Sequence, residues 1–456
     1  MRPKALLSLL TAGALLPLVL VSPASASGGH PGRELAGAAA NVSDGSVPAV
    51  SDGFTVLGHS DLGGSSLNAD VWGHRGYAYI GVWSGPCPAT GVKVVDYRVP
   101  TAPQLVSVLQ NDPGTSAEDV VVRRVRTPSF SGSLAVVGIQ VCGELDEPTF
   151  RGLAFFDVTD PANPVEIGRW AAPELSVGCH EVDLVQRRVD GRVLAGCANG
   201  FAEQINGTDE VVLVDVTNPA APVTAGGFTI GADLGVDPGD NPENLGCFPA
   251  SFAHSVRFAD RGRVLLTSYW DFGALRLDIA DPASPRLVGR ADVAPPDEDG
   301  EVHAVATGRG GDTLIASLED FSPVEGCPES DGWGEAHLFD TDRKARPVHV
   351  GTFSTPNSRS TRTDGFFSIH NTEVARRTQA FSSWYSDGIV WWEFSEPSSP
   401  TMVGQWVPPA AADPTGTFPE VPLVWGVYLD RGREVVLASD MNSGLWILRP
   451  NGLRDL

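Results

Sequence analysis

Hydrophobic residues in this chain alternate with polar ones over short runs, and turns rich in Gly, Asp and Arg separate these runs. In one example, residues 255–258 alternate, the turn Asp260-Arg261-Gly262-Arg263 follows, and residues 264–268 form a second strand-like run. Alternation with a period of two directs successive side chains to opposite faces of a strand. Two such runs around a short turn predict a β-hairpin. Similar hairpins recur along the chain, which predicts an all-β protein.

A short apolar motif also repeats six times, and each copy ends in an acid with a proline seven positions further on. The acids are Asp96, Asp157, Asp215, Asp278, Asp340 and Glu393, and the prolines are Pro103, Pro164, Pro222, Pro285, Pro347 and Pro400. Successive prolines lie 53 to 63 residues apart. A constant unit with variable connections is typical of a structural repeat. With a hairpin before the motif and a short strand after it, each unit predicts four strands.

The seventh unit is incomplete at the C-terminus. Residues 424–439 form its predicted hairpin and residues 445–448 its third strand, but no fourth strand follows. Residues 54–58 resemble the fourth strand at 286–289. We therefore predict a seven-bladed β-propeller, closed by pairing of the N- and C-terminal strands in the last blade, because such closure protects sheet edges.

The N-terminus has the pattern of a secretory signal. Arg2 and Lys4 precede an apolar run that ends in small residues at 24–26, which predicts cleavage after Ala26 and secretion. No later apolar run is long enough to span a membrane. The predicted organisation is a signal peptide over residues 1–26, a flexible lead over 27–53 and a single propeller domain over 54–456, expected to be a monomer.

The net charge of the chain is −24, from 32 basic and 56 acidic residues. Nucleic-acid binding depends on clustered cations that neutralise phosphates. The composition therefore argues against DNA or RNA as a partner. The 456 residues contain neither the H-E-x-x-H nor the G-x-S-x-G motif, and no phosphate-binding loop, so zincin proteolysis, serine hydrolysis of that class and nucleotide chemistry have no support.

Six cysteines follow the predicted signal, and an even number in an exported chain predicts disulfides. Six cysteines allow 15 connectivities. Their positions in neighbouring repeats favour three pairs: Cys87–Cys142, Cys179–Cys197 and Cys247–Cys327.

The repeat motifs resemble a known family. The apolar tetrapeptides, the Asp-Pro turns at residues 160–164 and 281–285, and the segment Ser268-Tyr269-Trp270-Asp271 are similar to the LVIVD-repeat family of exported β-propellers. The resemblance covers about residues 54–450, and it departs at Glu393 and Leu448. It implies the fold and the export, but no particular activity, because one propeller fold carries many unrelated functions.

Four of the nine histidines fall at one position of the repeat. Aligned at the start of the first strand, the seven units carry Ala69, Glu118, His180, His254, His303, His370 and Trp425. Radial symmetry directs these side chains toward a common axis, where four imidazoles are suited to one transition metal such as Fe, Cu, Zn or Mn. Glu118 or Glu181 would orient a ligating imidazole from behind. The alternative is a structural histidine that caps a loop and was copied with the repeat.

The ends of the second strands should lie on the same rim of the channel. With Trp425, they contribute Asn199, Asp271, Glu319, Asp320, Tyr385, Asp387 and Asp440. Such an acidic, partly aromatic mouth suits a peptide, a glycan or a cation. Alternatively, the aromatic residues pack between blades and the acids cap turns. The acidic loops at 237–244 and 297–301 match no EF-hand spacing, which favours solvated loops over a calcium site.

Two functions remain. The first is a binding or interaction module whose acidic, histidine-containing rim contacts a peptide, a glycan or a cell-envelope ligand. The second is a metal-dependent enzyme of the oxidase or oxygenase type, with a four-histidine metal centre at the channel mouth. The second layout is similar to that of carotenoid cleavage oxygenases, without a shared sequence motif. The convergence of the four imidazoles distinguishes the two hypotheses.

Overall fold

The computed structural model describes residues 35–453, apart from positions 36, 44–46, 84–90, 144, 146–147, 240–249, 294–299, 327–331 and 343. Within these residues the strands form seven antiparallel sheets arranged as a ring. The predicted all-β seven-bladed propeller is confirmed. The predicted signal peptide over residues 1–26 lies outside the described residues, as do most of the two acidic loops.

The chain begins with two strands that join later blades. These are β1 (Val50–Asp52) and β2 (Phe54–Ser60). Blade 1 contains β3 (Asn68–His74), β4 (Tyr77–Val82), β5 (Val92–Asp96) and β6 (Gln104–Leu109). Blade 2 contains β7 (Thr115–Ser116), β8 (Val120–Arg126), β9 (Ser131–Val141), β10 (Gly152–Asp157) and β11 (Val165–Ala171). Blade 3 contains β12 (Val182–Gln186), β13 (Val193–Ala198), β14 (Val211–Asp215) and β15 (Val223–Phe228).

The remaining four blades repeat the same order of strands. Blade 4 contains β16 (Ser255–Ala259), β17 (Val264–Ser268), β18 (Ala274–Asp278) and β19 (Arg286–Ala291). Blade 5 contains β20 (Val302–Gly308), β21 (Thr313–Leu318), β22 (Ala336–Asp340) and β23 (Val348–Phe353). Blade 6 contains β24 (Thr372–Ala375), β25 (Gln379–Ser383), β26 (Ile389–Glu393) and β27 (Thr401–Val407). Blade 7 contains β28 (Val424–Asp430), β29 (Val435–Asp440) and β30 (Gly444–Pro450).

Short helices lie in the connections between strands. They are α1 (Ala202–Asn206), α2 (Ile230–Leu234) and α3 (Ser322–Glu325), with a 3₁₀ turn at Asp260–Gly262. No helix among the described residues is both long enough and apolar enough to cross a bilayer.

The ring closes as predicted. Strand β2 is the fourth strand of blade 7, and it pairs antiparallel with β30, with Thr55 opposite Arg449 and Ser60 opposite Leu445. Strand β1 pairs with β27 at the outer edge of blade 6. This strand lies in the region predicted to be a flexible lead, and its pairing covers an otherwise open sheet edge.

The acid of the repeat motif stabilises the turn after the third strand. In the first five copies its Oδ1 atom accepts the backbone N–H of the residue two positions later, at 2.8–3.0 Å. This is the Asx-turn geometry that favours Asp at such positions. In the sixth copy Glu393 instead accepts the Ser395 hydroxyl at 2.6 Å, so the longer side chain still stabilises the turn.

An outer seam, formed by a fourth-strand glycine and a turn carbonyl of the next blade, joins neighbouring blades. A Cβ added at this glycine would lie 1.9–2.1 Å from the carbonyl oxygen in five blades, at Gly58, Gly168, Gly226, Gly289 and Gly351. In blade 1 Ser107 replaces the glycine, and its hydroxyl donates to the Pro161 carbonyl at 2.6 Å. The glycines are therefore required by close approach between backbones.

The disulfide prediction is confirmed for one pair, Cys179–Cys197, whose Cα atoms are 5.2 Å apart. Cys142 is also disulfide-bonded. Cys87, Cys247 and Cys327 lie outside the described residues, so the other two pairs remain predictions. The confirmed disulfide joins the residue before His180 to strand β13, and it helps to hold that histidine in place.

Candidate metal centre

The four aligned histidines form a continuous arc around the axis of the ring. We call His180, His254, His303 and His370 the histidine arc. Neighbouring ring centroids lie 4.4, 4.2 and 3.9 Å apart in chain order, and the side chains are 1–5% exposed. Trp425 of blade 7 extends the arc, with its ring 4.3 Å from that of His370. The four side chains lie next to one another, but among the described residues no group of ligand atoms within 4.8 Å of one another contains all four, and the four-histidine metal centre stays a prediction.

Backbone hydrogen bonds, and not the imidazoles, hold the arc in position. The backbone N–H groups of His180, His254 and His370 donate to Ala198, Ser268 and Ser383 at 2.8–3.0 Å, at the end of the second strand of the same blade. The loops that carry these histidines are therefore held to the second strands by backbone contacts in which the imidazole rings take no part. This pattern does not fit a histidine whose side chain caps its own loop.

Several ring nitrogens of the arc have no hydrogen-bond partner. This is the case for Nδ1 of His254, Nδ1 of His303 and both nitrogens of His370. Nε2 of His180 and Nε2 of His254 face each other at 3.1 Å. Two nitrogens that bind one metal at ~2.0–2.1 Å in cis positions are separated by roughly 3 Å. The contact therefore suits either an N–H···N hydrogen bond or two ligands of one cation.

Burial and the neighbouring rings lower the pKa of three of these imidazoles. The pKa values of His254, His303 and His370 lie well below 6.5, mainly because burial disfavours the charged ring and also because the other histidines repel a second charge. Backbone contacts with His303 and Trp425 act in the opposite direction on the pKa values of His254 and His370, although their geometry falls short of a hydrogen bond. At neutral pH these rings are uncharged, which is the form that binds metals.

Three glutamates approach the arc. Glu118 Oε2 lies 3.4 Å from His180 Nδ1, where it was predicted to orient an imidazole. Glu181 Oε1 lies 4.0 Å from His254 Nδ1 and 3.8 Å from His303 Nε2. The two oxygens of Glu319 lie 3.6 Å from His303 Nε2 and 3.8 Å from His370 Nε2. Glu319 was predicted only as a rim residue, and the fold brings it into the centre.

These contacts define two overlapping sets of potential ligands. One is Glu181, His254 and His303, and the other is His303, Glu319 and His370. Within each set the ligand atoms lie within 4.8 Å of one another. Imidazole nitrogen and carboxylate oxygen are donors that Zn, Fe, Mn and Cu accept.

Aromatic residues in the turns after the second strands enclose the arc. Trp270 stacks on His254 with ring centroids 5.2 Å apart, and the Tyr385 hydroxyl donates to Glu319. Both residues have positive φ, 43° and 38°. Such strain in residues other than glycine is maintained only where the surrounding structure imposes it, and it is frequent at functional sites.

The predicted acidic mouth is not exposed. Seven of its eight residues are at most 7% exposed: Asn199, Asp271, Glu319, Tyr385, Asp387, Trp425 and Asp440. Asp271 accepts the backbone N–H of Ala250 at 2.7 Å, and Asp440 accepts that of Leu423 at 2.7 Å. The partly exposed Asp320 accepts the N–H of Ser322 at 2.6 Å. These aspartates cap loops, because loop N–H groups inside a ring need acceptors.

The histidine side of the ring, which we call the near face, is covered by an N-terminal segment. Leu35, Ala38 and Val42 are buried in the cluster that contains Tyr385 and Trp425. Asn41 Nδ2 donates to the Val324 carbonyl at 2.6 Å, and Ser43 N donates to Thr363 at 3.1 Å. The arc was expected at an open channel mouth; it lies instead beneath an aromatic layer. Sequence reasoning interpreted these residues as part of a flexible lead.

A cavity of about 290 Å³ approaches the arc from the opposite side, the far face. Among its lining residues are Asp70, Asp119 and Glu181, and toward solvent Arg123 and Arg431. The same three acids line a smaller space that His180, His303 and His370 also line. Asp70 and Asp119 were not predicted as site residues. Each lies one residue after the aligned repeat position, as Glu181 does. This shared offset is the sequence signal that could have identified them as site residues.

Comparisons with known proteins identify the fold but no family. No family model matches the chain, and no curated protein matches it. Among solved structures, Raptor of Chaetomium thermophilum is similar, with a TM-score of 0.52 and 12% identity over 88% of this chain. The match spans 30% of the Raptor chain. In total 1346 solved chains match, and a likeness shared so widely speaks for the fold and not for an activity.

Proposed function

We propose that this protein is a metal-dependent propeller that binds one divalent transition-metal ion on the histidine arc. The activity class that fits such a centre is oxidase or oxygenase chemistry. The fold also suits an interaction module, but seven of the eight rim residues that would contact a partner are buried. The LVIVD-repeat membership and secretion through residues 1–26 belong to the same proposal.

The unpartnered ring nitrogens of three buried histidines carry the proposal. Four such nitrogens are found in His254, His303 and His370. A buried polar atom without a partner destabilises a fold by about 1–3 kcal/mol. A repeat that copied a structural histidine would leave each ring with a hydrogen bond. A bound cation would instead use these atoms as ligands.

The donor set favours a borderline metal. His254, His303 and His370 would supply nitrogen, Glu181 or Glu319 would supply oxygen, and His180 lies within reach of His254. Gln140 Oε1 is the hydrogen-bond partner of His180 Nδ1 at 3.3 Å, and Glu118 Oε2, 3.4 Å from the same nitrogen, would place a negative charge behind the ring. When bound, the metal would supply Lewis-acid or redox chemistry. The protein would exclude bulk solvent from the near face through Trp270, Tyr385 and the N-terminal segment.

Elemental analysis of the untagged protein, purified in its exported form, tests the proposal. We expect about one equivalent of Fe, Cu, Zn or Mn per chain, and less than about a tenth of that in the variant with His254→Ala and His303→Ala. The matched control is His337→Ala, which removes a buried histidine of blade 5 outside the channel. A wild-type protein that stays empty after reconstitution would contradict the proposal, as would an arc variant that retains its metal.

A further inference from the structure

We propose that metal ions reach the histidine arc through the far-face cavity, and that the carboxylates on its wall admit cations in preference to anions. This inference rests on the proposed function, because the route matters only if a metal binds at its inner end. It adds a direction of access and a charge filter, formed by Asp70, Asp119 and Glu181. We call these three residues the acidic wall.

The acidic wall connects the far-face cavity with the arc. All three acids line both the cavity of about 290 Å³ and the smaller space beside His303 and His370. The Glu181 side chain keeps 15% of its surface exposed and Asp70 is likewise only partly buried, whereas the side chains of His303 and His370 are 1% exposed. The wall therefore borders space that reaches toward solvent, and the arc lies just behind it.

The unpartnered histidine nitrogens are an independent sign of a ligand at the inner end of this route. His370 is 1% exposed, and neither of its ring nitrogens has a hydrogen-bond partner. His370 lines the same small space as the acidic wall. This small space is too narrow for a water molecule, so a cation would reach these buried nitrogen donors when the side chains of the wall move apart.

The near face offers no comparable route among the described residues. Trp270 and Tyr385 contact rings of the arc, and they are 3% and 0% exposed. Above them Leu35 and Val42 pack into the aromatic cluster. Access from this side would require the N-terminal segment to separate from Val324 and Thr363, which Asn41 and Ser43 contact.

The charge of the cavity wall favours cations. Five carboxylates and three arginines line the cavity, and two of the arginines are neutralised, since Arg123 pairs with Asp183 at 3.1 Å and Arg257 pairs with Glu373. Within the described residues, none of the three wall acids forms an ion pair with a lysine or an arginine. Clefts lined by one sign of charge raise the rate at which opposite charges enter.

Stopped-flow uptake of Co²⁺ by the metal-free protein tests the route, with the visible absorption of bound Co²⁺ as the signal. In Asp70→Asn we expect uptake to slow by about tenfold. The amide oxygen of the new side chain can still accept the bond that Asn371 Nδ2 donates to Asp70 at 2.7 Å, so the fold should persist. The matched control, Asp52→Asn, removes one exposed charge from β1 at the outer edge of blade 6 and should leave the rate unchanged. A second variant, Leu35→Ser with Val42→Ser, loosens the near-face cover and should also leave the rate unchanged.

The outcomes separate the route from the function. A wild-type protein that takes up no Co²⁺ would contradict the proposed function itself. Normal uptake by wild type, with equal rates in Asp70→Asn and Asp52→Asn, would overturn the route alone. Faster uptake by the near-face variant would overturn it as well. Added salt gives a test without substitution: the wild-type rate should fall as ionic strength rises, because salt screens the wall, and a salt-independent rate would contradict the filter.

Discussion

The outer seam and the histidine arc are both products of the same repeat, but they differ in how completely their contacts are satisfied. At the seam, a glycine meets a turn carbonyl of the next blade in five blades, and Ser107 donates to the equivalent carbonyl in blade 1. In the arc, a histidine recurs in four blades, and several of its nitrogens have no hydrogen bond. The seam contacts occur in blades 1 to 5 and in blade 7, whereas the arc is confined to blades 3 to 6.

The difference separates repetition for structure from repetition for binding. A residue copied for structure completes its contacts in each blade, because the same neighbours recur with it. A residue kept for a ligand is left with unused donor or acceptor atoms, because its partner is not part of the chain. This criterion uses the burial and hydrogen bonding of each copy, and it applies to other propellers.

The largest expected effect on stability comes from adding a side chain at a seam glycine. In Gly289→Ala the new methyl group would lie 2.0 Å from the Lys344 carbonyl oxygen, and the two blades would have to separate locally. We expect a loss of about 3 kcal/mol in the free energy of unfolding, measured by urea denaturation, and unchanged metal content. Gly432→Ala is the control, since no atom lies closer than 3.4 Å to its added Cβ. A stable Gly289→Ala protein would show that the seam tolerates expansion.

The second prediction concerns the carboxylate behind the arc. Replacing Glu118 by Gln removes the negative charge 3.4 Å from His180 Nδ1 while Gln140 keeps its hydrogen bond to that nitrogen, and metal affinity should fall by about tenfold. Competition with a chelator of known affinity measures the change. Glu335→Gln is the control, because Glu335 lies at the same 3.4 Å from His337 Nε2 in blade 5. Equal affinities in the two variants would mean that Glu118 does not act on the arc.

The smallest effect is a pH dependence of the metal-free protein. Below pH 6.5, the ordinary pKa of His, the unfolded chain binds a proton at His370, while the buried ring does not because its pKa is lowered. Stability is therefore lost as the pH falls below 6.5 and is complete above it. In His370→Gln this loss should be smaller by up to about 1.4 kcal/mol per pH unit, as measured by urea denaturation between pH 7 and pH 5. Identical slopes would contradict the burial of a neutral ring.

Patterns with local causes could be predicted from the sequence. The period of two, the acid of each third strand and the missing last strand are set by strand geometry, by turn chemistry and by the need to close a sheet edge. They led to seven blades, to the pairing of β2 with β30 and to the shared position of His180, His254, His303 and His370. The Cys179–Cys197 pair was one of three predicted from the positions of the cysteines in the repeats.

The surroundings of each predicted site residue were decided only by the tertiary structure. Asp271 and Asp440 cap buried loops, Glu319 turns toward His303 and His370, and Leu35 packs over the face expected to be open. The two caps join residues 21 and 17 positions apart within one blade, whereas the contacts of Glu319 with His370 and of Leu35 with the near face join different parts of the ring. The sequence by itself determined the number of blades and the residues that face the axis. Which face is covered and which nitrogens remain unpartnered depend on packing between blades, because no local pattern encodes contacts made across the whole ring.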